Sequence, residues 1–513
     1  MTQAGIAQEG ATQASIAIAA PHRAGVAAAR EIVAAGGGVV DAALAAAAAL
    51  TVAYPHQCSV GGDLVALVRS AEGEVRAVLS AGAAAGGLDV DALRGGSSRM
   101  PPGGPLTVTV PGVVAGWATL ADLGGTLPLR RVLAPAAKLA RDGVAVSDGL
   151  ARAIKARLDV VRADPGLATL LLRGDGEPLP SGADLRQPAL ARTLESVGAD
   201  WRSFYTGEVA ERLVGGLRGL GSPLRAADFA AHRAEVCEPL RAEAGGLTWW
   251  TAPPPSQGAS LLAVLDAGEG LLAGARSAEA RRDALLGDPR TSPVDLDGLL
   301  LRADRCVERL PAGPKPAGDT VAITAVAGDG SAVTLIQSVF QSFGSGLLEP
   351  STGVVLHNRG SAFSLVPGHP GEVRPGARPP HTLCPAIGTG GGKVVALGCQ
   401  GGRAQPWILA QVAGDAAEAE DLAGLLARPR WVIGSRDLGL ADPTLVLEPG
   451  VPGSDALAVT ARDLGLAVAS RPGPHDDAGH VQVARLGPEG LAAATDPRAD
   501  GAAEVLGGGR RTS

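Results

Sequence analysis

Aromatic side chains are scarce in this sequence of 513 residues: they make up 3% of it, whereas hydrophobic residues of all kinds make up 46%. A chain with so few large rings builds its core from alanine, valine and leucine, which fill space only when they pack closely. The apolar fraction is still high enough for a large core and excludes a mainly disordered chain. The length allows two ordinary domains or one large two-part enzyme.

Cysteines are also few, and their spacing is not that of a metal site or a disulfide framework. The five form no Cys-x-x-Cys pair and are Cys58, Cys237, Cys306, Cys384 and Cys399. An odd number of scattered cysteines argues against structural zinc and disulfides and fits a reducing compartment. We expect Cys384 and Cys399, which lie close to the motifs described below, to act as small buried apolar residues.

Positively charged residues are fewer than negatively charged ones, and long apolar segments are missing. The formal net charge of -7 disfavours nucleic acid and anionic membranes as partners. The longest apolar run, Ala42 to Ala53, is too short to span a bilayer and predicts a buried helix. The first residues show no basic start followed by an apolar stretch, so no signal peptide is expected. These features predict a soluble cytoplasmic protein without a membrane partner.

The first part of the chain shows helical patterns and one hairpin. Residues 22–53 have helical periodicity that three consecutive glycines interrupt, and Asp41 is expected to begin the second helix as its N-cap. Two apolar strands flank Glu72-Gly73 and predict a hairpin. The Gly-, Pro- and Ser-rich residues 86–104 favour a loop.

Helical patterns dominate from 129 to 230, and the character of the chain then changes twice. Residues 266–318 carry many charges and end in a Pro- and Gly-rich stretch, a composition typical of an exposed, flexible linker. Strand alternation begins at once from Thr320 to Val326, and Gly328-Asp329-Gly330 predicts the hairpin turn that follows. We therefore predict a mixed α and β fold with its strands concentrated after the linker.

Thr320 stands where the linker meets a core strand, and that place suits a particular chemistry. A threonine hydroxyl is a weak nucleophile until a base takes its proton, and the residue's own α-amino group, with a pKa near ~8, is one such base. The amine is free only if the chain is cut between Asp319 and Thr320. A threonine that merely begins a strand explains the same pattern, and spacing alone favours that explanation.

Thr320 also belongs to a series of motifs that resembles the γ-glutamyltransferase family. The similar segments after the linker begin with Gly318-Asp319-Thr320-Val321 and include residues 328–335, 343–346, 353–358, 378–385, 398–402 and 496–503. Those before the linker are residues 36–43, 54–63, 110–116, 185–188, 204–208 and 253–258. The segments follow one another in the family's order from about His22 to Ala503, and their succession is more specific than any one of them.

The resemblance implies a fold and a maturation step. The fold is α+β, a four-layer α-β-β-α sandwich of the N-terminal-nucleophile hydrolase type. The precursor is expected to cut itself into a large subunit, residues 1–319, and a small subunit, residues 320–513, which stay together as one fold.

The resemblance also implies roles for individual residues. Thr320 would attack an amide, form an acyl-enzyme and pass the acyl group to water or an amine, without a cofactor. Ser338 matches the hydroxyl that supports the nucleophile. The backbone N–H groups of Gly401 and Gly402 match the oxyanion hole, where glycine lets the backbone approach a tetrahedral oxyanion closely.

The sequence departs from the family where γ-glutamyl enzymes hold the amino-acid head group of the substrate. Ala83 stands at the position of the arginine that clamps the α-carboxylate, and Ala362 at that of the aspartate that holds the α-amine. Phe340 replaces another polar contact, while His381 and Thr382 lie in a matched segment of the substrate site. Recognition of a simple γ-glutamyl group is therefore expected to be poor.

Other cations near the matched segments offer a different anion contact. Arg359 and Arg403 lie beside site positions, and Arg76 would serve if it folded back. The alternative for each is a solvated surface arginine. We predict a small acyl or peptide-like substrate whose acyl group is neutral or carries one negative charge.

No metal or nucleotide site is expected. The spacing of His56, His357 and His381 is not that of a metal cluster. Residues 388–392 loosely resemble a phosphate-binding loop, but no helix opens after them, and a hairpin turn is favoured. The G-x-S-x-G motif of serine hydrolases is missing.

Three functions remain open at this point. The first is an amide-cleaving or acyl-transferring enzyme with Thr320 as the nucleophile. The second keeps Thr320 but cleaves a carbon–carbon bond next to a carbonyl in small-molecule biosynthesis. The third is an uncleaved, non-enzymatic scaffold.

Overall fold

Two antiparallel sheets form the centre of the fold in the computed structural model, which describes residues 15–267, 270–303, 319–435 and 438–507. The strand order is β20-β1-β9-β10-β2-β3-β6 in the larger sheet and β19-β18-β14-β13-β8-β7 in the second. The strands are β1 Ile16–Ala20, β2 Asp63–Arg69, β3 Val75–Ser80, β4 Val144–Ala145, β5 Asp184–Leu185, β6 Glu235–Cys237, β7 Leu240–Ala244, β8 Leu247–Thr251, β9 Asp319–Ala327, β10 Ala332–Phe340, β11 Leu347–Glu349, β12 Val354–Leu356, β13 Ala386–Gly390, β14 Lys393–Cys399, β15 Trp431–Gly434, β16 Thr444–Leu447, β17 Ala467–Ser470, β18 Val481–Gly487, β19 Gly490–Thr495 and β20 Ala502–Leu506.

Helices pack against both sheets. The helices are α1 Arg23–Ala34, α2 Val39–Ala53, α3 Val90–Gly96, α4 Val113–Gly124, α5 Leu129–Asp142, α6 Asp148–Ala156, α7 Leu158–Ala163, α8 Pro165–Leu171, α9 Pro188–Ala199, α10 Ser203–Thr206, α11 Glu208–Gly219, α12 Ala226–Ala231, α13 Gly258–Asp266, α14 Leu271–Leu285, α15 Leu296–Leu299, α16 Gln405–Ala416, α17 Leu422–Ala427 and α18 Ser454–Asp463. On the larger sheet α2 contacts β9 and β10, and on the second sheet α13 and α16 contact β8 and β14. The chain is therefore an α+β protein, as predicted.

Small side chains let the two sheets approach each other closely. Ala322 and Ile336 of the larger sheet share a buried apolar cluster with Ile387 and Ala396 of the second sheet. At Gly398, an added Cβ atom would lie 3.1 Å from the Cβ of Ala322. The shortage of aromatics thus matches an interface that small residues build.

The path of β14 brings its end to the start of β9. Gly398 of β14 faces Ala322 near the beginning of β9, while Val394, four residues earlier, lies near the hairpin turn at Gly330. The two strands therefore run in opposite directions across the gap between the sheets. The loop that follows Cys399 continues toward Thr320.

Three neighbouring strands of the larger sheet place polar residues in one row. Ser338 of β10 is directly opposite Asp63 of β2, so their side chains leave the same face with Cβ atoms about 5 Å apart. On the other side of β10 the register to β9 shifts between Gln337 and Phe340, which is a β-bulge. The row then continues to Thr320, whose side chain contacts that of Ser338.

Several local predictions are confirmed. The alanine-rich run lies in α2, whose residues are all buried. The hairpin around Glu72-Gly73 joins β2 to β3, and the hairpin at 328–330 joins β9 to β10. Residues 388–392 turn between the paired strands β13 and β14. Among the described residues, no helix has both the length and the apolar character that crossing a membrane requires.

The prediction for Asp41 was wrong in detail. Gly38 is the N-cap of α2, and Asp41 lies inside the first turn. The carboxylate of Asp41 reaches back to the N–H of Gly38, at 2.9 Å, and also accepts from the hydroxyl of Thr126, at 2.6 Å. A carboxylate at the third helical position satisfies the same unpaired N–H groups as an N-cap residue does.

Two predictions of irregular structure were also wrong. Residues 86–104 contain α3, because the side chain of Asp89 caps it by accepting from the N–H of Ala92 at 2.9 Å. The charged residues 266–318 include α14, where Arg276 and Arg282 are buried and paired with acidic neighbours rather than solvated. The Pro- and Gly-rich end of that segment, residues 304–318, lies outside the described residues, as do Cys306 and the last six residues.

Candidate active site

The hydroxyl of Thr320 lies in a short chain of hydrogen bonds that ends on the preceding carbonyl. Thr320 is 1% exposed, and its Oγ1 donates to Ser338 Oγ at 3.1 Å. Ser338 Oγ in turn donates to the carbonyl oxygen of Asp319 at 2.6 Å. The predicted nucleophile, its predicted partner and the carbonyl of the predicted cleavage bond are therefore in mutual contact.

The bulge in β10 orders Ser338 and exposes the ring of Phe340 to the site. Phe340 has a φ of 77°, a left-handed conformation that an aromatic residue rarely adopts. Its N–H leaves the strand pairing and donates to Ser338 Oγ at 2.8 Å. Backbone strain of this kind persists where the surrounding structure imposes it, often at functional sites.

Gly401 and Gly402 have backbone conformations that favour glycine. Both have positive φ, 147° for Gly401 and 52° for Gly402. A Cβ atom on Gly401 would lie 2.6 Å from Cδ1 of Ile408. Within the described ranges neither N–H has a hydrogen-bond acceptor, and the two residues follow β14, whose Gly398 lies against Ala322 of β9.

Arg359 is the second distinctive group of the site. It is 1% exposed, and its guanidinium carbon lies 3.8 Å from the centroid of the Phe340 ring. Nη2 donates to Thr382 Oγ1 at 3.2 Å, while Nε and Nη1 have no hydrogen-bond partner in the described part of the chain. A buried cation with free N–H groups is a binding site for an anion.

Asp63 supplies a counter-charge to Arg359 without taking up its donors. Asp63 Oδ2 lies 3.9 Å from Nε of Arg359, too far for a hydrogen bond. Oδ1 accepts from the N–H of Gly82 at 3.1 Å, and Oδ2 lies 3.1 Å from Nε2 of His381 and 3.3 Å from Nδ1 of His357. The carboxylate is thus held by other groups, and the guanidinium remains available.

The charge states of this cluster follow from burial and from its neighbours. Burial alone would raise the pKa of Asp63, but His357 and His381 outweigh it and hold that pKa well below its usual range. Burial, with the charge of Arg359, lowers the pKa of His381 to about 4. His381 is therefore neutral near pH 7, and because its Nδ1 accepts from the N–H of Leu383, its proton is on Nε2 and faces Asp63.

The two alanines at the family's head-group positions offer no charge. Ala362 ends the short turn that begins at Arg359, and the carbonyl of Ala83 accepts from the N–H of Val110 at 3.0 Å. The cavity beside them has a volume of only about 10 Å³, and its lining includes Ala84, Thr109, Gly360 and Phe363. It is apolar on most sides and holds about one water at most.

Two of the alternative cations are taken up by ion pairs. Arg403 forms an ion pair with Asp283 of α14. Arg76 is half-buried and pairs with Glu74 and Glu238, so it does not fold back. Arg359 is buried rather than solvated, and its guanidinium lies over the Phe340 ring with two donors that have no partner among the described residues.

Asp63 and His357 were not predicted to be site residues. Asp63 is the last residue of the similar segment 54–63, and His357 was considered only as a metal ligand, a role that its spacing disfavours. His357 Nε2 lies 2.9 Å from the carbonyl of Thr109 and holds one wall of the cluster in place. In the described part of the chain, no group of three or more His, Cys, Asp or Glu residues could hold a metal ion.

Comparison with known proteins points to one family. The family profile described as gamma-glutamyltranspeptidase matches residues 25–506. Over 489 residues the chain is 36% identical to the oxamate amidohydrolase proenzyme of Klebsiella pneumoniae, which covers 89% of this chain and 92% of that protein. Over 487 residues it is 32% identical to the glutathione hydrolase-like YwrD proenzyme of Bacillus subtilis, with 88% and 91% covered.

A solved structure agrees with these sequence relatives. The crystal structure of cephalosporin acylase from Bacillus halodurans superposes with a TM-score of 0.85 and 28% identity, and 99% of each chain is covered. These three proteins are named as hydrolases or an acylase, and the two sequence relatives as proenzymes.

We expect Arg359 to bind a small carboxylate anion through its charged guanidinium. Burial lowers the pKa of Arg359 and Asp63 partly offsets this, but a guanidinium keeps its proton near neutral pH. The affinity for the anion should therefore change little between pH 6 and pH 8. Calorimetric titration with oxalate at several pH values measures the affinity.

Two variants complete this test. Arg359→Met removes the cation and should abolish oxalate binding at pH 8. Arg374→Met removes an exposed arginine that pairs with Glu372 and should leave the affinity unchanged. Equal oxalate affinity for the wild type and Arg359→Met would contradict the assignment.

Proposed function

The chain belongs to the gamma-glutamyltranspeptidase family, and we propose that it is a self-processing amidohydrolase of the N-terminal-nucleophile type. In this proposal Thr320 is the nucleophile and is released by cleavage of the Asp319–Thr320 bond. Residues 1–319 and 320–513 become the large and small subunits, and the stacked sheets with their outer helices form the family's four-layer sandwich. The observation that carries the proposal is the hydrogen-bond chain from Thr320 through Ser338 to the carbonyl of Asp319.

Self-cleavage follows from that chain of contacts. Thr320 Oγ1 attacks the carbonyl carbon of Asp319, and its proton passes by way of Ser338 to the leaving amide nitrogen. The C–N bond breaks and an ester joins Asp319 to Thr320. Water then hydrolyses the ester, which leaves a carboxylate on Asp319 and a free amine and hydroxyl on Thr320.

Catalysis uses the groups that the cut releases. The α-amine of Thr320 takes the hydroxyl proton as Oγ1 attacks the substrate amide, and the N–H groups of Gly401 and Gly402 stabilise the oxyanion. The amine then gives the proton to the leaving nitrogen, and an acyl group remains on Thr320. Attack by water on this ester releases the acid and restores the enzyme.

The substrate that suits the site carries a carboxylate close to the scissile amide. Arg359 has two donors without partners, Nε and Nη1, either of which can donate to a carboxylate beside the Phe340 ring. Ala83 and Ala362 offer nothing to an ammonium group, whose burial without a partner costs several kcal/mol, roughly 2–5 for a broken charge pair. Oxamate, whose amide carbon is bonded directly to a carboxylate, has this chemistry, and the name of the Klebsiella relative supports it. The reaction is oxamate plus water to oxalate plus ammonium.

No observation favours the two alternatives. None of the contacts described for the site is specific to the cleavage of a carbon–carbon bond. An uncleaved scaffold leaves unexplained why the hydroxyl of Thr320 contacts Ser338, which in turn contacts the carbonyl of Asp319. Amide hydrolysis uses all of these groups.

The first expected outcome is that the purified protein consists of two fragments, the smaller one beginning Thr-Val-Ala-Ile. Thr320→Ala removes the attacking hydroxyl and should remain a single chain. Ser338→Ala removes the contact with the Asp319 carbonyl and should slow cleavage strongly. Intact-mass spectrometry over time measures all three proteins.

A matched control separates chemistry from folding in this experiment. Thr334→Ala also removes a buried hydroxyl of β10, one that donates to the carbonyl of Ala386 away from the cut. It should still cleave. A wild-type chain that stays intact after long incubation would refute the proposal.

The second expected outcome concerns the acyl group. We expect kcat/KM for oxamate to exceed that for a γ-glutamyl anilide by at least about 100-fold, because the second substrate brings an ammonium that has no partner. A glutaryl anilide, which lacks only the amine, should be the better of the two anilides. Arg359→Met should lower kcat/KM for oxamate by about 10²–10³-fold while self-cleavage continues.

One result would overturn this substrate assignment. If the wild type preferred the γ-glutamyl anilide to both the glutaryl anilide and oxamate, an amine clamp would exist elsewhere in the site.

A further inference from the structure

We propose that Gln257 is a positioning residue that ties the oxyanion loop to the wall carrying Arg359. Its hydrogen bonds go neither to Thr320 nor to the guanidinium of Arg359. The inference rests on the proposed function, since it assigns roles to the two sides that Gln257 connects.

Every polar atom of the Gln257 side chain is used. Nε2 donates to the carbonyl of Gly402 at 2.8 Å and to the carbonyl of Thr382 at 2.6 Å. Oε1 accepts from Nη1 of Arg282 at 2.8 Å. The residue is 1% exposed, so these bonds do not compete with solvent.

One of these bonds bears on the oxyanion loop. The carbonyl of Gly401 accepts from the N–H of Ala404 at 2.9 Å, which fixes the peptide plane that carries the N–H of Gly402. Gln257 and the N–H of Gln405 both donate to the carbonyl of Gly402 and fix the next plane. Because glycine adopts many conformations, bonds on both sides are needed to hold Gly402 at its φ of 52°.

The second bond of Gln257 holds Thr382, the residue that contacts Arg359. Thr382, whose carbonyl accepts from Gln257, accepts from Arg359 Nη2 through its own hydroxyl. A single amide group thus sets the separation between the oxyanion donors and Arg359. In a substrate whose carboxylate is bonded directly to the reacting carbonyl, no flexible spacer compensates for an error in that separation.

Residues of helix α14 hold the side-chain amide of Gln257 in place. Arg282 also donates through Nη1 to the carbonyl of Arg403 at 2.6 Å, and Arg403 forms an ion pair with Asp283. Consecutive residues of α14 therefore hold both Gln257 and the loop after Gly402. This arrangement gives a structural role to a charged helix that composition assigned to a linker.

The test replaces Gln257 by methionine, which has a similar length but no donors. We expect kcat for oxamate to fall at least about tenfold, toward the roughly 10²-fold of a lost oxyanion donor. Binding of oxalate should change by less than about threefold, because Arg359 keeps Phe340 and Asp63. A purely structural defect would instead lower the melting temperature and weaken oxalate binding together with kcat.

Two further variants keep the result interpretable. Gln187→Met removes another buried glutamine, whose Nε2 donates to the carbonyl of Val52 at 2.7 Å, and should leave kcat unchanged. Arg282→Lys leaves Gln257 in place and loosens its side-chain carbonyl together with the carbonyl of Arg403, so a smaller loss of kcat is expected. This variant decides the matter if Gln257→Met does not fold.

The outcomes distinguish this inference from the proposed function. Wild-type kcat in Gln257→Met, or in Arg282→Lys where Gln257→Met does not fold, would overturn the role of Gln257 and leave the proposed function intact. A wild-type protein that neither cleaves itself nor hydrolyses oxamate would overturn the proposed function itself.

Discussion

A buried guanidinium with unused donors is the constraint around which the site is arranged. Arg359 is sealed from solvent, and an isolated cation there would cost several kcal/mol. The ring of Phe340 and the carboxylate of Asp63 reduce this cost, yet neither takes the hydrogen bonds that Nε and Nη1 can donate. These two donors are available to a ligand, and under the proposed function that ligand is a carboxylate.

The same residues connect these donors to the nucleophile. Phe340 faces Arg359 with its ring and Ser338 with its backbone N–H, and the β-bulge makes both contacts possible at once. Asp63 stands directly opposite Ser338 on the next strand, so its distance from the nucleophile is set by strand spacing. Acid recognition and bond cleavage thus depend on one row of residues in one sheet, and a short substrate is the kind that spans it.

Much of this was predictable where the signal is local. The strand after the linker, its hairpin, the alanine-rich buried helix and the contact of Thr320 with Ser338 follow from residue types or from the resemblance. The prediction from composition was wrong for α14, because its buried arginines Arg276 and Arg282 are paired with acidic neighbours instead of being solvated. The roles of Asp63 and Gln257 were not predictable, since their partners lie far away in sequence: 318 residues separate Asp63 from His381, and 145 separate Gln257 from Gly402. An acidic residue at the start of an apolar strand was the one signal that pointed to Asp63.

The central claim is that Arg359 and Thr320 hold the two ends of one small acid. A crystal structure of the processed enzyme with oxalate tests it most directly. The account predicts that one carboxylate of oxalate accepts from Nε or Nη1 of Arg359 while the other lies at Thr320 Oγ1 and faces the N–H groups of Gly401 and Gly402. Oxalate bound with neither carboxylate on Arg359 would contradict it.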